Sequence, residues 1–311
     1  MSSIVTITFS PCIDKSATVS SLVPEKKLQC NDLKLEPGGG GINVSRAIKK
    51  LKGEATAIFP SGGYTGKYFN KLLSDESITS VIIEAKCETR ENIIINDLST
   101  NQQYRFGMPG SPLSEDEWTA CLKALDQFKD LEFIVASGSL PPGVPLDVYA
   151  QIAKISKQKK AKLIVDTSGD ALNHAVNEGV YLLKPNLGEI SALVGKEELD
   201  TDMLDDAARQ LIKKRKCEIV VVSMGAAGAR LITGDIAKTI IPPAVKRKST
   251  VGAGDSMVAG IVLSLSRGMD LLSAVQYGVS CGTAATLNAG TELCRLEDAE
   301  RLYHQIKFNN F

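Results

Sequence analysis

Histidine is nearly missing from this chain: His174 and His304 are the only two in 311 residues. That argues against a Ser-His-Asp triad or a histidine-built metal centre, and leaves acid–base work to carboxylates and lysines. An excess of charge is missing too. Lys plus Arg and Asp plus Glu both number 36, so no broad basic surface for nucleic acid is expected. No apolar run reaches the ~18 residues of a membrane span. The apolar stretch Ile4–Phe9 is too short for a secretory signal and lacks a basic start. The seven cysteines (Cys12, Cys30, Cys87, Cys121, Cys217, Cys281 and Cys294) include no C-x-x-C pair and are odd in number. Reduced thiols in a cytoplasmic protein are the simplest account. There is no G-x-G-x-x-G after the first apolar run, so a nicotinamide-dependent dehydrogenase lacks its fingerprint. The nearest approach to a Walker loop, Gly62–Lys67, is followed by Tyr68 where Ser or Thr is needed. Internal repeats and low-complexity segments are absent as well.

What is present is a rhythm. At 43% apolar, 311 residues suffice for one large α/β domain or two smaller ones. Short apolar runs at 4–9, 55–59, 133–136, 163–165, 181–183 and 219–222 are each followed by small or polar turn residues. Helix-spaced apolar positions follow several of them, as in 115–129, 146–158 and 203–215. The pattern predicts an α/β fold: a mostly parallel sheet covered by helices on both faces. The turns after the strands then gather along one edge, where a single site is expected. Two stretches break the rhythm. Residues 16–35 and 85–106 alternate loosely and predict a small sheet standing off the core. The expected core is 1–15, 36–84 and 107–311.

The densest chemistry lies at Ser249-Thr250-Val251-Gly252-Ala253-Gly254-Asp255-Ser256. Met257, Val258, Ile261, Val262 and Leu265 fall at helical spacing behind it, so a buried helix is expected to start near Asp255. A first turn built of small residues offers free N–H groups and the positive end of the helix dipole to a phosphate. A carboxylate there suits a general base acting on a hydroxyl beside that phosphate. The alternative is a glycine turn with Asp255 as a helix cap.

Other residues repeat the theme more weakly. Asp14 follows the first strand and reads as a ligand carboxylate or a turn aspartate. Pro37-Gly38-Gly39-Gly40-Gly41-Ile42-Asn43 precedes a helix pattern at 45–51; it is a close-approach loop or a linker, with Asn43 free to serve as a cap. Lys27, Arg90 and Arg105 lie in the two irregular stretches, either as solvated cations or converging on one anion. Asn186-Leu187-Gly188-Glu189 suits a Mg²⁺ held mostly through water, or simply starts a helix. Ser223 to Gly228 is a glycine turn fit for phosphate or adenosine contact. Leu287-Asn288-Ala289-Gly290-Thr291 is a turn able to present carbonyls to a nucleotide or a cation.

Taken in order, Pro37–Asn43 (PGGGGIN), Gly138–Pro142 (GSLPP), Lys184–Glu189 (KPNLGE) and Thr250–Ser256 (TVGAGDS) resemble the PfkB sugar kinases of the ribokinase superfamily. The likeness covers essentially the whole chain and implies a ribokinase-like fold with a small β-sheet lid. TRENI at 89–93, QYRFGMPG at 103–110 and TLNAGTELC at 286–294 are similar to the phosphofructokinase-2 branch of the family. Related 1-phosphofructokinases and tagatose-6-phosphate kinases commonly carry lysine where this chain has Gly40. Glu292 departs from the branch, which has a basic residue there.

The implied activity is ATP-dependent phosphorylation of fructose 6-phosphate at its 1-hydroxyl, a step of glycolysis. The resemblance makes Asp255 the base and Gly252, Ala253 and Gly254 the anion hole. It assigns the sugar to Asp14, Gly39, Gly40, Asn43 and Ser139, and its phosphate to Lys27, Arg90 and Arg105. ATP falls to Lys184, Asn186, Ser223, Gly225, Gly228, Ser249, Thr250 and Asn288. Mg²⁺ is implied at Asn186 and Glu189, and K⁺ at backbone carbonyls of Ser249, Val251, Asn288 and Gly290. A homodimer through the lid is implied too. The rivals are the same chemistry on another phosphosugar and, from a different class, a non-catalytic sugar-phosphate sensor; the latter has no need of a base beside an anion hole.

Overall fold

The computed structural model describes residues 3–214 and 216–309. Position 215, the last of the 203–215 pattern, lies outside the described residues, as do the two residues at each end of the expected core. In chain order the first elements are β1 (Ser3–Ile7), β2 (Cys12–Val19), β3 (Asn31–Gly38), α1 (Gly40–Lys50), β4 (Thr56–Gly62), α2 (Gly63–Asp75) and β5 (Thr79–Ala85). Next come β6 (Arg90–Asp97), β7 (Gln102–Phe106), α3 (Glu115–Lys123), β8 (Leu131–Ser137), α4 (Val148–Lys159), β9 (Lys162–Asp166) and α5 (Gly169–Glu178). The chain continues with β10 (Val180–Leu183), α6 (Leu187–Leu193), α7 (Thr201–Lys213), β11 (Cys217–Ser223), β12 (Ala229–Ile232) and β13 (Ala237–Ile240). It closes with α8 (Ala253–Ser266), α9 (Leu271–Ala285) and α10 (Leu296–Asn309).

The apolar runs become strands because they are buried on both faces. Along β8, Phe133 and Val135 join one cluster with Ile4, Val44, Ile48, Val258 and Val262; Ile134 and Ala136 join another with Val5, Ile7, Tyr149 and Ile152. The same alternation recurs in β11, where Ile219 and Val221 face the first cluster, Val220 and Val222 the second. Helices α1, α8, α9 and α10 therefore cover one face of the sheet, and α3, α4, α5 and α7 the other. This is the expected two-sided α/β architecture.

Among the described residues the large sheet has nine strands, in the order β13-β12-β11-β10-β9-β8-β1-β4-β5. Strands from β11 to β5 pair in parallel; β12 and β13 add an antiparallel hairpin at one edge. From β1 the chain moves outward through β4 and β5, then returns to β8 and moves the other way. That reversal opens a crevice beyond the carboxyl ends of β1 and β8, where open α/β sheets hold ligands.

The second sheet, in the order β3-β2-β6-β7, has parallel β2–β6 pairing between antiparallel neighbours. Its strands reach beyond the expected stretches: β2 begins at Cys12 and β3 ends at Gly38, whereas residue 85 closes β5 of the large sheet. Asp14 therefore sits inside a strand of the small sheet, not in a turn just past β1. The pairing register gives this sheet two faces. Asp14, Glu36, Asn92 and Arg105 belong to one; Lys15, Leu35, Ile93 and Phe106 belong to the other.

Candidate active site

Two helix starts meet over the crevice. The first belongs to α1, whose Gly39 N-cap has φ 110. A side chain at Gly40 would drive its Cβ into Ser137 Oγ and place it 2.8 Å from the Gly138 nitrogen, so only a glycine lets α1 approach the end of β8. The second belongs to α8. Its N-cap is Gly252, with φ 71, and a Cβ there would lie 2.5 Å from Leu293 Cδ2. Asp255 is thus in the first turn and is not the cap. Asn43 is no cap either. It lies in the first turn of α1, and its Nδ2 donates to Asp255 Oδ2 at 2.9 Å, joining residues 212 positions apart. Asn43 Oδ1 is buried without a partner among the described residues, an acceptor left with bonding capacity.

Asp255 is pushed up to about 7. Burial is the main cause and the Asp166 carboxylate adds to it; the Asn43 amide and Lys184 pull the other way. Lys184 follows β10, is almost fully buried and pairs with Asp166 at 3.1 Å. Burial alone would lower its pKa, but the Asp166 charge outweighs that and holds the ammonium charged. Gly254, in the first turn of α8, is close to it, since a Cβ there would stand 3.5 Å from Lys184 Nζ. A cation and an N-terminal helix turn therefore flank a carboxyl group whose pKa matches a general base at neutral pH.

Asp14 is buried on β2, where Asn92 Nδ2 donates to it at 2.9 Å and the Cys12 thiol at 3.3 Å. Burial raises its pKa and the Asn92 bond moderates the rise. Ser139 is exposed beside Gly138, whose carbonyl accepts from Tyr149 and Thr167, each at 2.8 Å. Arg90 and Arg105 share the face of the small sheet that carries Asp14, each held by its own partners. Arg90 binds the carbonyls of Ser10 (3.2 Å) and Met108 (2.9 Å), and its Nε is buried without a partner among the described residues. Arg105 pairs across from Ile94, four residues further along β6, hence about 13 Å along the ladder. Its Nη2 donates to Thr250 Oγ1 at 2.6 Å. Lys27 is exposed in the β2–β3 connection.

Asn186 and Glu189 form a capping box at the start of α6: each side chain accepts the other's backbone N–H at 2.8 Å. The helix-start reading of Glu189 is therefore correct as geometry, and it leaves Oε1 outside that pair of bonds. Burial raises Glu189, as does the nearby Asp166. Glu189 and the nearby Asp166 are two carboxylates that suit a hard divalent cation bound partly through water, and among the described residues no group of three or more acidic, His or Cys side chains forms a full metal cage. Asn186 also bridges to Ser223, which ends β11 and leads into the Gly225–Gly228 turn, where both glycines have positive φ (60 and 91).

The 249–251 and 286–293 loops run together. Ser249 Oγ donates to the Gly290 carbonyl at 2.7 Å and accepts the Val251 N–H at 3.2 Å; Asn288 Nδ2 is spent on the Leu293 carbonyl at 2.9 Å. Neutral oxygens without a carboxylate fit a monovalent cation. Glu292 turns outward to Arg295 at 2.7 Å.

Sequence reasoning missed several of these parts. Asp166 was legible as an aspartate at a strand end; Asn92, Gln103 and Glu36 acquire meaning only through the pairing register of the small sheet.

A family model for "pfkB family carbohydrate kinase" matches residues 4–299. The ATP-dependent 6-phosphofructokinase isozyme 2 of Escherichia coli K12 is 42% identical over 301 residues, 96% of this chain and 97% of its own length. The 1-phosphofructokinase of Bacillus subtilis 168 is 31% identical over 305 residues, 98% of each chain. Crystal structures of E. coli phosphofructokinase-2 are close in shape. The complex with potassium has TM-score 0.95 and 42% identity, covering 99% of this chain and 100% of the other. The complex with fructose-6-phosphate has TM-score 0.94 and 40% identity at the same coverage. A tetrameric inhibited form has TM-score 0.93 and 41% identity, again at that coverage.

Proposed function

We propose that this chain, which belongs to the pfkB family of carbohydrate kinases, transfers the γ-phosphoryl group of ATP to the 1-hydroxyl of fructose 6-phosphate, giving fructose 1,6-bisphosphate and ADP, as a cytoplasmic glycolytic enzyme. The observation that carries the reading is Asp255, oriented by Asn43 at the start of α8 with Lys184 beside the turn.

The residues divide the work. Asp14 and the unpartnered Asn43 Oδ1 accept sugar hydroxyls, and the Gly39–Gly40 turn and Ser139 border them. Asp255 takes the proton of the 1-hydroxyl as its oxygen bonds to the γ-phosphorus and the bond to the ADP oxygen breaks. The N–H groups of Gly252, Ala253 and Gly254, with Lys184, face the charge on the transferring phosphoryl. Asn186, Ser223, Gly225, Gly228, Thr250 and Asn288 line the nucleotide. Glu189 and Asn186 would hold Mg²⁺, which would supply neutralisation of phosphate charge. The carbonyls of Ser249, Val251, Asn288 and Gly290 would hold K⁺, which would supply a fixed positive charge.

The test is an ATP-dependent assay run side by side on fructose 6-phosphate, fructose 1-phosphate, tagatose 6-phosphate and free fructose, with Mg²⁺ titrated in the same series. Fructose 6-phosphate is expected to show the highest kcat/KM. A higher value for fructose 1-phosphate sinks the reading in favour of the sister activity. Arg90, with its partnerless Nε, is the residue expected to read the 6-phosphate. Arg90→Ala should raise KM for fructose 6-phosphate, leave KM for ATP nearly unchanged and narrow the preference over free fructose. Equal slowing of both sugars would leave Arg90 as a clamp on Ser10 and Met108 alone.

The small sheet acts in this reading as a lid, and its outer face joins two copies in a homodimer. Leu33 (64% exposed), Ile93 (39%) and Phe106 (46%) leave that face apolar and open. Sedimentation at micromolar concentration should give at least a dimer; a fully active monomer excludes the assembly.

A further inference from the structure

Arg46 heads the largest fully buried side chains of the described residues, only 1% exposed. It lies on α1, one turn beyond Asn43, and all three of its guanidinium nitrogens donate hydrogen bonds. Nε and Nη2 form a fork on Glu76, at 2.8 and 2.5 Å; Nη1 donates to the Pro37 carbonyl at 2.6 Å; Nη2 also reaches Glu36 at 3.3 Å. Glu36 belongs to β3, in register with Asp14. Its other oxygen accepts the hydroxyl of Thr291 at 2.5 Å. Thr291 is buried and follows Gly290, whose carbonyl holds Ser249. Ser249 in turn accepts from Gln103 of β7 at 3.3 Å.

The small sheet therefore touches the loops under α8 at three hydrogen-bonded points: Gln103 on Ser249, Arg105 on Thr250, and Glu36 on Thr291. The third differs from the others. Its acceptor is charged, its donor is shielded from water, and a rigid planar cation fixes the acceptor from behind. A movement of the sheet toward the sugar is thereby a movement of the 286–293 loop.

We propose that Glu36, held by Arg46, is a positioning residue that couples the sugar-facing sheet to the 286–293 loop through Thr291, so that sugar phosphate and nucleotide strengthen each other's binding. The inference rests on the functional reading above. Linkage makes such coupling reciprocal, so it can be read from either ligand.

The experiment is calorimetric titration of fructose 6-phosphate with and without a saturating non-hydrolysable ATP analogue, on the wild-type protein, Thr291→Val and Thr291→Ser. Val keeps the shape and removes the donor; Ser keeps the donor. The analogue should tighten sugar binding to the wild type and to Thr291→Ser. In Thr291→Val that tightening should fall by about tenfold, the equivalent of about 1.4 kcal/mol, with Tm near that of wild type. Retained coupling in Thr291→Val overturns the proposal. So does an equal loss of sugar affinity with and without the analogue, which marks a local packing role, or a wild type without coupling. A wild type that binds neither ligand instead overturns the functional reading, and this inference with it.

Discussion

Asp255→Asn is expected to lower kcat by about 10²–10⁴-fold, the usual contribution of a general base, with a much smaller change in either KM. The amide keeps the size of the carboxyl and still meets Asn43, but it cannot take the proton of the attacking hydroxyl. The pH profile sharpens the test. Because Asp255 is pushed up to about 7 by burial and by Asp166, kcat/KM of the wild type should fall about tenfold per unit as pH drops below 7. The residual activity of the variant should lack that limb. Stability should move the opposite way. A carboxyl raised from its ordinary value of 3.8 to about 7 binds more protons folded than unfolded between those values, so stability declines as pH rises through that window. Above pH 7 the ionised Asp255 burdens the fold, and the burden is gone below about pH 4. Asp255→Asn should therefore raise Tm at about pH 8 and leave it nearly unchanged at about pH 4. Near-normal kcat in the folded variant removes Asp255 from its role; an unchanged Tm on the alkaline side removes the electrostatic cost.

Arg46→Leu should be strongly destabilising although it lies away from the reacting atoms. Removing one member of a buried ion-pair cluster costs about 3–5 kcal/mol. The low end is expected because Glu36 and Glu76 keep partial access to water, their side chains being 19% and 32% exposed. For a chain of this size that is a fall in Tm of roughly 5–10 °C. Burial alone would lower the Arg46 pKa, yet the Glu76 carboxylate raises it above the ordinary arginine value, so the guanidinium is charged at any working pH. Scanning calorimetry of wild type and variant at neutral pH decides the matter. An unchanged Tm means that packing of the introduced leucine and rehydration of the two glutamates offset the lost bonds.

Much of this molecule was readable in one dimension, for a physical reason. Apolar runs such as Phe133–Ala136 and Ile219–Val222 are continuous because both sheet faces are covered, and that continuity survives without coordinates. The start of α8 was readable because small residues and an apolar helix face coincide there. Arg46 was not readable. A basic residue inside the 45–51 helix pattern is assigned to solvent by default, and only Glu36 from β3 and Glu76 from the end of α2 make its burial tolerable. The β12–β13 hairpin was hidden too, because strands of four residues carrying Arg230, Lys238 and Thr239 show little apolar signal. The spacing of Lys27, Arg90 and Arg105 was hidden as well, although register puts Arg90 and Arg105 on the face that carries Asp14. Composition places charges on strands, but only pairing says how far apart they stand.

The seat of Gly40 restricts how sugar preference can drift over evolutionary time. Sister kinases commonly carry lysine at this position, yet a Cβ here collides with Ser137 Oγ and meets the Gly138 backbone nitrogen at 2.8 Å. Trimming Ser137 alone would not open the space, since main chain blocks it as well. The end of β8 must first shift relative to α1. Gly40→Lys alone is therefore expected to displace the end of β8 in this protein. Changes around 137–138 that make this room are expected to be prerequisites for a lysine at 40 in this chain.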